Sequence, residues 1–319
     1  EKAYNAIIGT SPVAENIEAA VNKFYEKNLA DEYIEPTTIG APATVSQSDS
    51  LIFFNFREDG IRQLAAPFIV KEFDAFTVQP NADFYTVTMT DYYENLQTRS
   101  AFPNEKVQNP LGAVLSTAGK TQLRIAESEK TAHVTSFFNC FEQQPFPNEY
   151  RIIIPSIKTP HPENNPAMMA GAITDRVLVS LKDRAFDFIL VNYANADVTA
   201  HSGNLDAMMK AVKTIDNAIS KLIEIALKED HVIVITADHG NIESTINEQT
   251  GRPENQHTAN PVPFCLVGRR FQKTSGATSL LNPNETVGIL SDVAPTILSI
   301  MGLPKPKEMT GENLIPLLT

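Results

Sequence analysis

The chain has 319 residues, 42% of them hydrophobic and 20% charged, with a net charge of −12 at pH 7 and a pI near 5.0. This is the composition of a globular protein long enough for two domains. It lacks the basic face that a nucleic-acid backbone requires, no apolar run approaches the roughly 20 residues of a membrane helix, and the start carries no basic-then-apolar leader. An acidic chain that handles an anionic substrate must gather its few Arg and Lys locally, or use metal cations. Cys140 and Cys265 are the only cysteines. Two thiols in a chain of this size point to a reducing compartment and to free thiols, so a cytoplasmic location is expected.

Residues 1–30 read as a helix pair. Ile7, Ile17, Ala20, Val21 and Phe24 recur at helical spacing around a Gly9-Thr10-Ser11-Pro12 break, with Ser11 as the expected cap of the second helix. Apolar or β-branched runs at 51–55, 84–89 and 150–154 are predicted strands, and a short amphipathic helix is predicted over 111–118. Between 155 and 167 four prolines and Asn164-Asn165 make a compositional break, read as an interdomain crossing. The expected division is therefore 1–154 and 155–319. The second part has a βαβ pattern: a strand at 186–191, a polar turn with Asn195, Asp197 and His201, a helix from about 204 to 228, and a strand at 232–235. A connection of that length suits a right-handed crossover between parallel strands. A further strand at 262–267 and a helix at 289–301 follow.

The stretch Thr236-Ala-Asp-His-Gly-Asn241 stands just past a buried β-branched strand, where ligands bind in open α/β sheets. Taken alone, Asp238 and His239 are either a helix cap beside a surface histidine or metal ligands. Two other turns offer similar donors. His201 follows Asp197 by four residues, and His257 lies in Asn255-Gln-His-Thr-Ala-Asn260 before the next strand. Imidazole and carboxylate together suit Zn²⁺, Mn²⁺ or Fe²⁺ rather than Ca²⁺, and two clustered metals can activate a nucleophile and neutralise phosphoryl oxygens. His231, at a strand start, reads as structural.

The segments Asn192 to Gly203, Thr236 to Asn241, and His257-Thr258 with Asn260-Pro-Val-Pro-Phe264 closely resemble cofactor-independent phosphoglycerate mutase, of the alkaline phosphatase superfamily. The resemblance runs along the whole chain, through Phe53-Phe-Asn-Phe-Arg57, Gln122 to Lys130, His133-Val-Thr135, Arg151 to Lys158 and Leu290 to Leu298. It implies an alkaline-phosphatase-like α/β parallel-sheet domain beside an α/β phosphotransferase domain. It also implies interconversion of 3- and 2-phosphoglycerate through a phosphoserine, with two divalent ions, usually Mn²⁺ (Mg²⁺, Co²⁺ or Zn²⁺ being alternatives), and no organic cofactor. By resemblance, Asp197, His201 and His257 hold one ion. Asp238 and His239 hold the other with an upstream Asp and the nucleophilic Ser. Arg57, Arg62 and Lys130 bind substrate, and Lys158 reaches the transferring group. For Arg62 a solvated helix-face charge is the competing reading. Glu127, Glu129 and Lys130 can equally form a surface ion-pair cluster.

Three departures from the family pattern qualify this. Gly60 stands where the family has an arginine, and the crossing Ser156-Ile-Lys158…Pro162-Glu163…Pro166-Ala-Met-Met169 lacks several of its polar positions. The segment with the nucleophilic Ser lies upstream in the family, so the chain is expected to be the family's C-terminal portion, monomeric and inactive alone. The Asp197, His201 and His257 set is expected to be complete, and the Asp238 and His239 set open or weakly occupied. A different metallo-phosphohydrolase or phosphomutase, or a non-catalytic remnant, are the alternative readings.

Overall fold

The computed structural model describes residues 1–29, 31–42, 45, 48–79, 84–92, 98–105, 107–247, 251, 254, 256–272 and 286–318. They fall into two compact units, Glu1–Glu105 and Lys106–Thr319. The sequence reading divided the chain at 154/155, but strands on either side of that position share one sheet, as described below.

The first unit runs α1 (Lys2–Ile7), β1 (Val13–Ala14), α2 (Ile17–Tyr25), β2 (Thr38–Ile39), β3 (Ser50–Phe53), α3 (Glu58–Ile69), β4 (Tyr85–Thr88) and β5 (Arg99–Ser100). The expected helix pair is present, but its cap differs. Asn16 caps α2, its side chain accepting from Ala19 N at 2.8 Å, while the Ser11 hydroxyl pairs with Thr38 Oγ1 at 2.7 Å. The capping oxygen must lie one turn from its amide, and the short strand β1 separates Ser11 from the helix. β3, β4 and β5 form a parallel sheet. Phe53, Ala65 and Tyr92 are buried together, packed by Leu51, Ile61, Leu64 and Phe68. The Tyr92 hydroxyl donates to the carbonyls of Phe53 and Asn55, so its polar end is satisfied inside that core.

The second unit contains α4 (Leu111–Thr117), β6 (Gln122–Glu127), α5 (Thr131–Val134), β7 (Glu149–Ile154), α6 (Ala170–Lys182), β8 (Phe188–Val191), α7 (Asn195–Ala200), α8 (Leu205–Glu229), β9 (Ile233–Ile235), β10 (Cys265–Val267), α9 (Val293–Ile300) and α10 (Ile315–Leu318). The parallel sheet has the order β7-β6-β8, with β6 central and buried at all six positions. Ile125, Ile173, Val177 and Leu222 form the core between this sheet and helices α6 and α8. Asn204 caps α8 by accepting from Ala207 N at 3.1 Å, and Asp230 ends it in the left-handed region at φ 61°.

Two sequence expectations change here. The polar turn after β8 is the helix α7, so Asp197 is carried on a helix and His201 closes it. The expected crossover pairing is also absent among the described residues: β8 bonds to β6, and β9 pairs antiparallel with β10 in a separate two-stranded sheet. The wider architecture is a mixed α/β fold with parallel sheets, as expected. Both cysteines are free, and no helix of the described residues is long and apolar enough to cross a membrane.

Candidate metal centre

The centre is assembled by α7 and by two loops, one after β9 and one before β10. α7 begins directly behind β8, and its first residue locks it down. The Asn195 side chain is fully buried and donates to the carbonyls of Pro166 and Ala167 at 2.8 Å each. One helical turn separates Asp197 from His201, which puts them on one face; His201 Nε2 lies 3.4 Å from Asp197 Oδ1. After β9 the chain runs through Asp238 and His239 to Gly240, which pairs with Thr258 in an isolated antiparallel bridge, Thr258 N donating to Gly240 O at 2.8 Å. The bridge lays His239 beside His257, their rings stacked 3.7 Å apart at 18°.

Asp197 is the hub. Its Oδ1 lies 3.1 Å from His257 Nε2 and accepts from Asn241 Nδ2 at 2.9 Å, and its Oδ2 is ion-paired with Lys130. Ligand atoms of Asp197, His239 and His257 all lie within 4.8 Å of one another. An ion about 2.1 Å from each donor needs donor separations of roughly 3.4 Å in tetrahedral geometry. The Asp197–His257 and Asp197–His201 separations already meet that. Two or three imidazoles with one carboxylate are a donor set for Zn²⁺, Mn²⁺ or Fe²⁺, so these residues fit a divalent ion.

The electrostatics agree. Burial pushes the Asp197 carboxyl up, but the Lys130 ammonium, the Asn241 amide and His201 outweigh it and hold the group well below the usual carboxylate range. Burial lowers the His257 value; Asp197 opposes that, and the His239 and His201 rings add to it. A neutral imidazole is the ligating form.

The other sequence candidates are distributed as follows. Asp238 is largely exposed, with Oδ2 3.7 Å from His239 Nε2. His239 therefore stands with Asp197 and His257, whereas the sequence reading grouped it apart from them with Asp238. Lys130 meets Asp197 rather than standing in a surface cluster, and Lys158 is exposed. Arg57 and Arg62 belong to the first unit. Arg57 precedes α3 and binds both Asp59 carboxylate oxygens through Nε at 3.0 and 3.1 Å. Arg62 pairs with the buried Glu58 at 3.1 Å. A Cβ on Gly60 would meet open space, so nothing steric in α3 demands glycine there. His231 Nε2 donates to the Leu181 carbonyl at 3.1 Å, which is a structural role.

Two residues at the centre had no role in the sequence reading. Asn241 donates to Asp197, and Glu243 accepts from Asn241 N at 2.7 Å and from Asn260 Nδ2 at 2.9 Å, as well as from the Thr258 hydroxyl. Both lie within five residues of Asp238, so position relative to the Asp-His-Gly motif was the available signal.

The family pattern described as the Metalloenzyme superfamily matches residues 7–305, and the chain belongs to that superfamily. Within it, the chain resembles 2,3-bisphosphoglycerate-independent phosphoglycerate mutases. It is 39% identical to that of Ectopseudomonas mendocina over 99% of this chain and 61% of the relative. The Clostridioides difficile enzyme is 41% identical over the same shares, and mutase 2 of Methanosarcina barkeri is 41% identical over 98% and 61%. The chain thus spans about three fifths of the length of these relatives. A crystal structure of Leishmania mexicana phosphoglycerate mutase at low cobalt concentration superposes with a TM-score of 0.84, at 22% identity, over 98% of this chain and 60% of that one. That likeness establishes the shared fold.

Proposed function

We propose that this chain supplies the metal-binding and much of the substrate-binding part of a cofactor-independent phosphoglycerate mutase, interconverting 3- and 2-phosphoglycerate. The observation that carries the reading is the clustering of Asp197, His239 and His257, with His201 against the Asp197 carboxylate, in a chain whose relatives bear that name. Asp197, His201 and His257 would hold one divalent ion with His239 alongside, and Asp238 with His239 a second, Mn²⁺ being the ion proposed for both. When bound, such ions lower the pKa of a coordinated hydroxyl and spread phosphoryl charge.

The chain's own residues do the rest. Asn241 orients the Asp197 carboxylate, the Gly240–Thr258 bridge holds two imidazoles face to face, and Lys130 supplies a cation beside Asp197 for an anionic substrate. Lys158, Arg57 and Arg62 are the further cations proposed to bind phosphate and carboxylate, the arginines through their two-pronged fork. We further propose that the 319 residues alone do not turn over. Two serines close to a proposed ligand or lysine in sequence are held elsewhere: Ser202, beside His201, donates through Oγ to Thr199 O at 2.6 Å, and Ser156, near Lys158, accepts through Oγ from Glu129 N at 3.2 Å.

The test combines Mn²⁺ titration, followed by electron paramagnetic resonance, with a phosphoglycerate mutase assay. Expected are one tight and one weaker Mn²⁺, loss of the tight one in Asp197→Ala, and no turnover by the isolated chain. Unchanged Mn²⁺ binding in Asp197→Ala would overturn the ligand assignment. Measurable turnover would overturn the inactivity, and phosphatase turnover without isomerisation would overturn the mutase reading.

A further inference from the structure

We infer that Glu243 is a positioning residue of the metal centre, whose carboxylate ties the loop carrying His239 to the segment carrying His257 and so sets the geometry of the donors. The inference rests on the metal-centre reading above and adds a residue that is itself no ligand.

Glu243 and Thr258 are 15 residues apart along the chain, and within the described residues the two stretches meet at a short junction. Thr258 N donates to Gly240 O at 2.8 Å. Across this single bridge sits the Glu243 carboxylate. Its Oε1 accepts from the Thr258 hydroxyl and from Asn260 Nδ2 at 2.9 Å, both on the His257 side. Its Oε2 accepts from Asn241 N at 2.7 Å, on the His239 side. One carboxylate thus bonds both strands of the junction.

Two of these three contacts are one residue, or one bond, from a proposed ligand. Thr258 follows His257. Asn241 is two residues beyond His239, and its side chain donates to Asp197 Oδ1 at 2.9 Å. The junction is also closely packed. A Cβ added to Gly240 would collide with Thr258 Oγ1 and with Glu243 Oε1, so the carboxylate lies against bare backbone where a side chain cannot go. Glu243 stands outside the Asp197, His239 and His257 donor group. It acts through the loops that bear those ligands.

The charge state suits the task. Burial pushes the Glu243 carboxyl up, but the Thr258 hydroxyl, the Asn260 amide and the backbone amides outweigh it and bring it to about 2. The group is therefore an anion throughout the neutral range, and its hydrogen bonds are the stronger, charge-assisted kind. Residues that orient metal ligands typically change metal affinity about 10- to 100-fold when removed.

The experiment measures Mn²⁺ affinity of the full chain by calorimetry and electron paramagnetic resonance, for wild type, Glu243→Ala and Glu243→Gln, with far-UV circular dichroism and the chelator-treated thermal midpoint as controls. Glu243→Ala is expected to weaken Mn²⁺ binding by at least about tenfold at unchanged helical signal. Glu243→Gln, which keeps one acceptor oxygen and the side-chain volume, is expected to recover part of that affinity. Affinity within about twofold of wild type in both variants would overturn the inference, since a positioning role must appear in ligand geometry. A loss in Glu243→Ala that only tracks a fall in helical signal, with Glu243→Gln at wild-type affinity, would overturn it too, and would leave Glu243 a merely structural residue. A wild-type chain that binds no Mn²⁺ would overturn the metal-centre reading itself, and the positioning role with it.

Discussion

Asp197 is half-buried and Glu127 fully buried, both in the second unit, and their surroundings drive the two carboxyl groups in opposite directions. Asp197 is lowered because Lys130, Asn241 and His201 outweigh burial. Glu127, at the end of β6, is fully buried, and neither carboxylate oxygen reaches hydrogen-bond geometry among the described residues. Burial therefore raises it, with the Ser156 hydroxyl and the Met169 amide opposing only in part. A carboxyl whose folded pKa exceeds its unfolded one contributes stability below the unfolded value of 4.5, and loses it as pH rises through the raised folded value. The neutral isostere Glu127→Gln should therefore raise the urea midpoint at pH 7 and leave it nearly unchanged at pH 4. A lower midpoint at pH 7 would show that the carboxylate is stabilised where it sits. At this scale the sequence was legible for residue types that announce metal chemistry. Asp197, His201, His239 and His257 stood out by spacing and by neighbours. Asn241 and Glu243 did not, because an amide and a surface glutamate acquire a role only once the Gly240–Thr258 bridge has folded the two loops together.

Removing the imidazole of His257 tests the donor cluster from its other side. His257→Ala deletes a group 3.1 Å from Asp197 and stacked on His239, so Mn²⁺ affinity should fall by about 100-fold, the upper end of effects seen for supporting residues, as suits loss of a direct ligand. Calorimetric binding equal to wild type would remove His257 from the site.

At the scale of elements, the long helix was the clearest reading, and the central strand was missed. α8 runs Leu205–Glu229, within a residue of its predicted span, because its apolar stripe has the helical period and Asn204 is a standard cap. Replacing Asn204 with Ala removes the acceptor for Ala207 N at 3.1 Å, and should lower unfolding stability by about 1 kcal/mol. A urea midpoint shift of zero would mean that water replaces the cap without loss. β6 reads Gln-Leu-Arg-Ile-Ala-Glu, with polar side chains at Gln122, Arg124 and Glu127, although all six residues are buried. The alternation rule assumes one wet face. Here the dry face is served by specific contacts: Gln122 donates to the Gly112 carbonyl at 2.9 Å, and the Arg124 guanidinium lies 4.2 Å from the Phe138 ring centroid. Residue type alone does not reveal such partners, which come from α4, the segment after α5, and β8. The expected pairing of β8 with β9 failed for a related reason. A crossover-length helix fixes how far the chain travels, not which edge it joins.

At the scale of the whole chain, the two units set what a metal can do to the protein. All four clustered donors lie within Lys106–Thr319. They are drawn from α7, from the loop after β9 and from the segment before β10, so an ion there cross-links three stretches of the chain. Binding to the folded state alone adds stability of RT ln(1 + [L]/Kd), about 2.7 kcal/mol at a ligand concentration of 100 Kd. That stabilisation should appear as slower amide exchange in the segments that bear the ligands, because local opening there now requires loss of the ion. Hydrogen-exchange mass spectrometry with Mn²⁺ and with chelator is expected to show protection in peptides covering 195–201, 238–243 and 256–260. Peptides from β3 and α3, in the other unit, should exchange at the same rate in both conditions. The chain's charge of −12 gives an alternative that the same experiment separates. A divalent cation acting only by screening an acidic surface would protect weakly and everywhere, including α3, and would be imitated by Mg²⁺ at equal ionic strength. Protection confined to the three ligand-bearing segments, and lost in Asp197→Ala, requires a site.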